Sequence, residues 1–210
     1  MAHEKPMKHG RPIWLAALET GGHGCFFYTT PGELFEVAVP ALKEGLTQTR
    51  ERCLWILPPK ISIREAKEVL GNTLKADVTP WIQQQKLLLI SRDDWYPSPR
   101  LPFDAIGILR RGKLLLDETL KWGFDGLRII NHAISARSPH WEDFLYLEHQ
   151  LDRKFRGKPV ISLCGYSLKE LPMESLDLVT SVHSFNLVRH ASDWHLLPQQ
   201  PALPTNPLIF

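Results

Sequence analysis

Gly22-His23-Gly24-Cys25-Phe26-Phe27-Tyr28-Thr29-Thr30-Pro31-Gly32-Glu33-Leu34 is the stretch on which the fold turns. Its first half is short and aromatic and stops at turn residues, which is the pattern of a buried strand. Its second half starts a helix. Thr30 offers a hydroxyl at the N-cap, Pro31 fills the first helical position with a fixed φ, and Glu33 stands where its carboxylate can return the hydrogen bond. Leu34, Val37, Val39, Leu42 and Leu46 follow at roughly helical spacing, with Pro40 as an expected kink or break. A strand that passes straight into a capped helix opens a βα unit.

The unit recurs along the chain. Arg52-Cys53-Leu54-Trp55-Ile56-Leu57 is a second apolar strand, closed by Pro58-Pro59, and Ser62-Ile63-Arg64-Glu65 repeats the capping chemistry of a helix expected to stop at Gly71. Lys86-Leu87-Leu88-Leu89-Ile90-Ser91 is a third strand. The segment from Asp93 to Arg100 is too proline-rich for regular structure, yet it carries Trp95 and Tyr96, which would lid a site or cover core. A weakly helical pattern over 104–123 leads to a fourth strand at Gly126-Leu127-Arg128-Ile129-Ile130. Ser138-Pro139 then opens a helix whose inward stripe is Trp141, Phe144, Glu148, Leu151 and Phe155. Pro159-Val160-Ile161-Ser162-Leu163-Cys164 is a fifth strand, ended by Gly165; a last helix over 172–183 and a hairpin of 187–190 with 194–197 close the chain.

Continuous apolar strands alternating with helices predict an α/β fold: a three-layer sandwich with a mainly parallel sheet covered on both faces. The expected division is an N-terminal extension over 1–20, one α/β domain over 21–197 and an extended, proline-rich tail over 198–210. Ligands in such sheets sit beyond the carboxyl ends of the strands, which directs attention to Tyr28 to Thr30, Pro58, Asn131-His132 and Cys164 to Tyr166.

Composition narrows the function classes. In 210 residues, 25 Lys and Arg against 23 Asp and Glu leave a formal charge of +2, too little for a nucleic-acid footprint. No apolar run approaches the ~18 residues of a membrane span. Three cysteines at wide spacing argue for reduced thiols over a disulfide framework. The expectation is a cytoplasmic protein with no membrane segment and no direct nucleic-acid contact.

The turn Tyr28-Thr29-Thr30-Pro31-Gly32-Glu33-Leu34 stands where a nucleotide-binding protein puts its phosphate loop, but it has one glycine, no lysine and a glutamate, so ATP is not an expected ligand. His23-x-Cys25-x-x-Tyr28 is the densest chemical cluster. In a strand His23 and Cys25 share a face and Tyr28 takes the other. Histidine and cysteine on one face are half of a zinc or iron site, with Cys164 as the third metal ligand; Glu148 and His183 are further candidates if their elements lie beside the first strand. The alternative is structural: a hydrogen-bonded core histidine beside a cysteine packed as a small hydrophobe. Glu148, a lone carboxylate in an apolar stripe, needs a partner, for which an arginine or an amide would suffice. A nucleophilic thiol is a further alternative, for which Cys164 at a strand end is better placed than Cys25. His183 is expected to end the last helix facing inward.

His-Gly-Cys-Phe-Phe-Tyr at 23 to 28, Glu51-Arg52-Cys53-Leu54-Trp55-Ile56, Gly126-Leu127-Arg128, Leu147-Glu148, Leu163-Cys164-Gly165-Tyr166 and His183 resemble, in order and spacing, the MEDS domain, a sensory module named for methanogens, methylotrophs and the dichloromethane regulator. The resemblance spans nearly the whole chain, and the His-x-Cys-x-x-Tyr motif is its most specific part. It implies a RecA/KaiC-like fold whose phosphate loop has been lost, and a role in sensing small molecules, simple hydrocarbon derivatives among them. It also implies signalling partners of histidine-kinase, transcription-regulator or anti-sigma type. The segment Asn131-His132-Ala133-Ile134-Ser135 departs from the family pattern.

Together these readings give a non-catalytic sensory domain that binds a small ligand or a metal at the carboxyl edge of its sheet and signals by protein contact. The expected ligand-binding residues are His23, Cys25, Tyr28, Glu148, Cys164, Tyr166 and His183, with His23, Cys25 and Cys164 as metal ligands for zinc or iron. The 198–210 tail is a docking segment in this reading, and a homodimer is compatible with it. The alternatives are a thiol- or nucleotide-dependent enzyme and an inert interaction scaffold.

Overall fold

A computed structural model describes residues 11–199. In chain order its elements are α1 (Ile13–Ala16), β1 (His23–Tyr28), α2 (Pro31–Thr47), β2 (Glu51–Leu57), α3 (Ile63–Leu74), α4 (Thr79–Gln83), β3 (Leu87–Ser91), α5 (Arg92–Trp95) and α6 (Ala105–Lys121). Then come β4 (Gly126–His132), α7 (Trp141–Phe155), β5 (Val160–Ser167), a 3-10 turn at Met173–Ser175, α8 (Leu176–Ser181), β6 (Phe185–His190) and β7 (Asp193–Pro198). The described strands form one sheet in the order β3-β2-β4-β5-β1-β6-β7, parallel throughout except for the β6–β7 hairpin. Of the proline-rich tail expected over 198–210, Pro198 instead ends β7, and residues 200–210 lie outside the described residues.

Strand alternation divides the interior into two cores, one on each face of the sheet. Phe26 and Tyr28 of β1, with Cys53, Trp55 and Leu57 of β2, pack against Leu34, Val37 and Leu42 of α2 and Ala66 and Leu70 of α3. Cys25 of β1, Leu54 and Ile56 of β2, and Cys164 and Tyr166 of β5 face the other way, onto Ile108 and Leu116 of α6, Phe144 and Leu147 of α7 and Val179 of α8. This is the expected three-layer sandwich. The caps are where the side-chain chemistry put them: Thr30 accepts from the Glu33 amide with the reciprocal bond present, and Ser62 accepts from the Glu65 amide.

Four local expectations are corrected. Pro40 does not break α2, because Val37, Ala38, Val39, Ala41 and Leu42 around it are all buried on the sheet and that packing outweighs one lost hydrogen bond. Gly71 does not end α3; Lys75 does, in the left-handed conformation at φ 51°. Gly165 does not end β5, which runs on to Ser167; the glycine is required there because a Cβ would lie 2.7 Å from the Phe26 ring. The proline-rich segment after β3 does hold one helical turn, α5, because the Ser91 hydroxyl caps it by accepting from the Asp94 amide.

Gly24 gives a direct test of the β1–β6 contact. It pairs in register with Phe185, and a Cβ at that position would fall inside the Phe185 ring. Gly24→Ala is therefore expected to destabilise by about 1–3 kcal/mol, and adding Phe185→Leu should return part of that loss. Additive losses in a urea double-mutant cycle would mean that the two positions do not meet.

Candidate functional site

The sheet order places β5 beside β1, and their register sets Cys164 opposite Cys25 and Ser162 opposite His23. His23 and Cys164 therefore emerge on the same face as neighbours, onto the helical layer that holds α7. Glu148 comes down from the middle of α7, and His183 from the segment just after α8 rather than from within that helix. Ser184 fixes this last approach. Its amide and its hydroxyl both donate to the His23 carbonyl, at 2.8 Å each, and its Oγ accepts from the His23 amide at 3.0 Å.

The four side chains meet with no exposure. Each offers one ligand atom, and those atoms lie within 4.8 Å of one another. Glu148 Oε2 is the hub: His183 Nε2 is 3.0 Å away, Tyr166 Oη donates to it at 3.2 Å, and His23 Nε2 is 3.4 Å away. His23 Nε2 also lies 3.3 Å from Cys164 Sγ, and the two imidazoles stack with centroids 4.3 Å apart. The His183 ring is oriented from behind, Nδ1 donating to the Val179 carbonyl at 2.7 Å. Three buried atoms around this centre have no hydrogen-bond partner among the described residues: His23 Nδ1, Glu148 Oε1 and Asp152 Oδ1.

The charges follow from this geometry. Burial alone would push the Glu148 carboxyl up, but hydrogen bonds from His183 and His23, and their charge, hold it well below the ordinary carboxylate range. Burial and the neighbouring His183 push His23 down, against the pull of Glu148. Burial and the Glu148 charge push the Cys164 thiol far up, and the Cys25 thiol likewise. Thiols raised in this way are held in their protonated, less nucleophilic form.

The other expected residues fall around this centre. Tyr166 touches it directly. Cys25 shares the His23 face, as strand alternation requires, but its thiol donates to Asn186 Oδ1 at 2.9 Å and is not in the four-residue cluster. Tyr28 lies on the opposite face and its hydroxyl meets His132 Nδ1 at 2.8 Å. Burial and the charge of Arg92 hold that histidine down at about 3. The centre thus sits under the face of the sheet, where His23 begins its strand, and not beyond the carboxyl edge. Glu148 is partnered by histidines and a tyrosine, not by the arginine or amide expected.

Two contributors, Asp152 and Asn186, escaped the sequence reading, and a third, Asn131, was marked only as a carboxyl-end position. Asn131 donates to Tyr96 Oη at 2.7 Å and to Cys164 Sγ at 3.7 Å. Asp152 is buried one turn beyond Glu148, on a position a strict stripe count omits, although its i+4 relation to Glu148 was available as a signal. Asn186 offered no local sign. At the former phosphate-loop position, Glu33 accepts from the Thr29 amide at 2.6 Å and the Thr30 amide at 3.4 Å, so the anion-binding donors ahead of α2 are already engaged by a carboxylate.

A parallel sheet with helices on both faces and this strand order is a KaiC-like, RecA-type core. A KaiC-like protein from the hyperthermophilic archaeon Pyrococcus horikoshii is similar in structure, with a TM-score of 0.56 over 91% of this chain and 86% of that one, at 12% identity. Residues 22–184 match the MEDS family, the MEthanogen/methylotroph, DcmR Sensory domain. The chain belongs to that family of sensory domains, and the match runs from the residue before His23 to the one after His183. A search of curated proteins found no match. Among the described residues no helix is long and apolar enough to cross a membrane.

Proposed function

We propose that this chain is a non-catalytic sensory domain that takes a small ligand or metal ion at the His23, Glu148, Cys164 and His183 centre and passes the signal to a signalling protein by contact. One observation carries the reading. Four side chains with chemistry, from four separate stretches of the chain, converge at zero exposure and leave polar atoms unpartnered around them. Packing has no use for such a centre, because each unpartnered buried group costs about 1–3 kcal/mol.

Occupation would act on the elements that supply the ligands. His183 hangs between α8, through the Val179 carbonyl, and β6, through Ser184. A ligand that prefers one placement of His183 shifts the population of α8 and the β6–β7 hairpin, which form the sheet's outer margin. Cys25, bonded to Asn186 of β6, sits on the same route, and Tyr166 completes the wall of the centre. Tyr28 with His132 makes a separate polar pair nearer the carboxyl edge. The engaged donors ahead of α2 leave no ready seat for a nucleotide phosphate there, and the raised thiols count against a thiol-dependent enzyme.

The test is hydrogen exchange and thermal melting of the full chain against divalent metal salts, short alcohols, amines and halomethanes. A true input stabilises by about 2.7 kcal/mol at a hundred times its Kd, slows exchange in α8 and β6–β7, and does neither in Glu148→Gln or His183→Gln. A panel in which no probe alters exchange beyond the centre removes the sensory reading.

A further inference from the structure

We propose that the centre is a closed transition-metal site, in which His23 Nε2, His183 Nε2, one oxygen of Glu148 and the sulfur of Cys164 hold a single zinc-class divalent ion, and that Cys25 is not a ligand. This rests on the reading of the centre as the input site and names its occupant.

The first argument is a hydrogen-bond count. His183 spends its Nδ1 proton on the Val179 carbonyl, so Nε2 is the nitrogen turned to the centre: it bonds Glu148 Oε2 in the metal-free chain and, once its proton leaves, offers a ligand lone pair along the same line. Nε2 faces Glu148 Oε2 across 3.0 Å. His23 Nε2 reaches the same oxygen at 3.4 Å and Cys164 Sγ at 3.3 Å. Two ring nitrogens, a carboxylate oxygen and a sulfur thus converge, with Tyr166 bringing a further hydroxyl proton to the hub. A central cation satisfies all four at once.

The second argument is spacing. Zinc bonds of about 2.0–2.3 Å in a tetrahedron hold ligand atoms about 3.3–3.7 Å apart. Three of the separations are 3.0, 3.3 and 3.4 Å and the whole set lies within 4.8 Å, so a bound ion would part the closest atoms by a few tenths of an ångström and draw the widest together by up to about one. Two imidazoles, a thiolate and a carboxylate suit zinc and cobalt better than magnesium or calcium, which prefer oxygen alone. Metal entry displaces the Cys164 proton to solvent, so uptake releases at least one proton per ion.

The third argument is the ring of groups behind the ligands. The Val179 carbonyl orients His183, the Tyr166 hydroxyl bonds the Glu148 carboxylate, and Cys164 Sγ has Asn131 Nδ2 at 3.7 Å and Ser162 Oγ at 3.9 Å. Outer contacts of this kind fix ligands for a metal. His23 Nδ1 and Asp152 Oδ1 are both buried and unpartnered, and the Asp152 charge acts on His23.

Cobalt(II) is the probe. Titrated into the reduced, chelator-treated full chain, it should bind at one equivalent with a thiolate-to-cobalt absorption band and the intense visible bands of tetrahedral cobalt, and zinc should bleach them. Cys164→Ser should abolish the thiolate band and His183→Gln the tight binding, while Cys25→Ser leaves both unchanged. Tyr166→Phe keeps every ligand and should weaken binding about 10–100-fold, which guards against a variant that merely fails to fold. Sub-stoichiometric binding at micromolar metal, a thiolate band that survives Cys164→Ser, or one that vanishes with Cys25→Ser overturns the proposal. A bound metal with no exchange response at α8 and β6–β7 keeps the site and sinks the sensory role. An exchange response to an organic probe in a chain that binds no cobalt does the reverse.

Discussion

Glu148→Ala is expected to lower the stability of the metal-free chain by about 3–5 kcal/mol, a large share of what a domain of this size has. The loss has two parts. Tyr166 Oη and His183 Nε2 both use Glu148 Oε2, at 3.2 and 3.0 Å, and truncation leaves them buried without it. Each orphaned group costs about 1–3 kcal/mol. The missing carboxylate also leaves a void under α7, where Glu148 has no exposure. Glu148→Gln keeps the shape and one acceptor oxygen, so its loss should be about half as large. Urea unfolding at pH 7.5 measures both, with the midpoint moving at constant slope. A loss under about 1 kcal/mol for the alanine variant would mean that water reaches the hub and that the centre is not the dry, closed site described above.

How far the sequence could lead is best judged on these same residues. The stretch 22–34 was legible because caps and strand alternation are local: Thr30, Pro31 and Glu33 act within one turn, and Phe26 and Cys25 part to opposite cores because alternate side chains must. Glu148 was legible as an anomaly, a carboxylate on an apolar stripe. Its partners were legible as residue types and not as a set. His23 and Cys164 are 141 positions apart, and they meet only because β5 is inserted between β4 and β1. Strand order is a property of the whole packing, and no hydrophobic period encodes it. The same gap explains Cys25. Alternation correctly gave it the His23 face, but the neighbour that takes its thiol, Asn186, belongs to β6 on the other side of β1. His183 shows the limit of helix reading. The 3.6 period carried the helix two residues past Ser181, its true end, yet the inward position survived, because Ser184 ties the following residues to β1.

The pH dependence of stability should carry the second large effect, and its sign is set by His132. Burial and Arg92 hold this imidazole at about 3, against about 6.5 for a free histidine. Between those values the unfolded chain binds a proton that the native chain refuses, so stability is full above pH 6.5 and falls as the pH drops through it. One proton corresponds to about 1.4 kcal/mol per pH unit once the unfolded imidazole is fully protonated, and the loss between pH 6.5 and 4.5 comes to about 2.3 kcal/mol. His23 is displaced in the same direction and steepens the fall. Glu148 joins below its ordinary range: it stays ionised in the native state while the unfolded carboxylate takes up a proton, which again favours unfolding in acid. In His132→Gln the amide can still meet the Tyr28 hydroxyl, now held at 2.8 Å by the imidazole. That variant should start somewhat less stable at pH 7.5 and lose stability more slowly, its slope between pH 6.5 and 4.5 reduced by up to about 1.4 kcal/mol per unit. Parallel curves for the two proteins, measured by urea unfolding across that interval, would show that His132 takes up its proton without leaving the fold and that the acid response comes from the His23 and Glu148 centre alone.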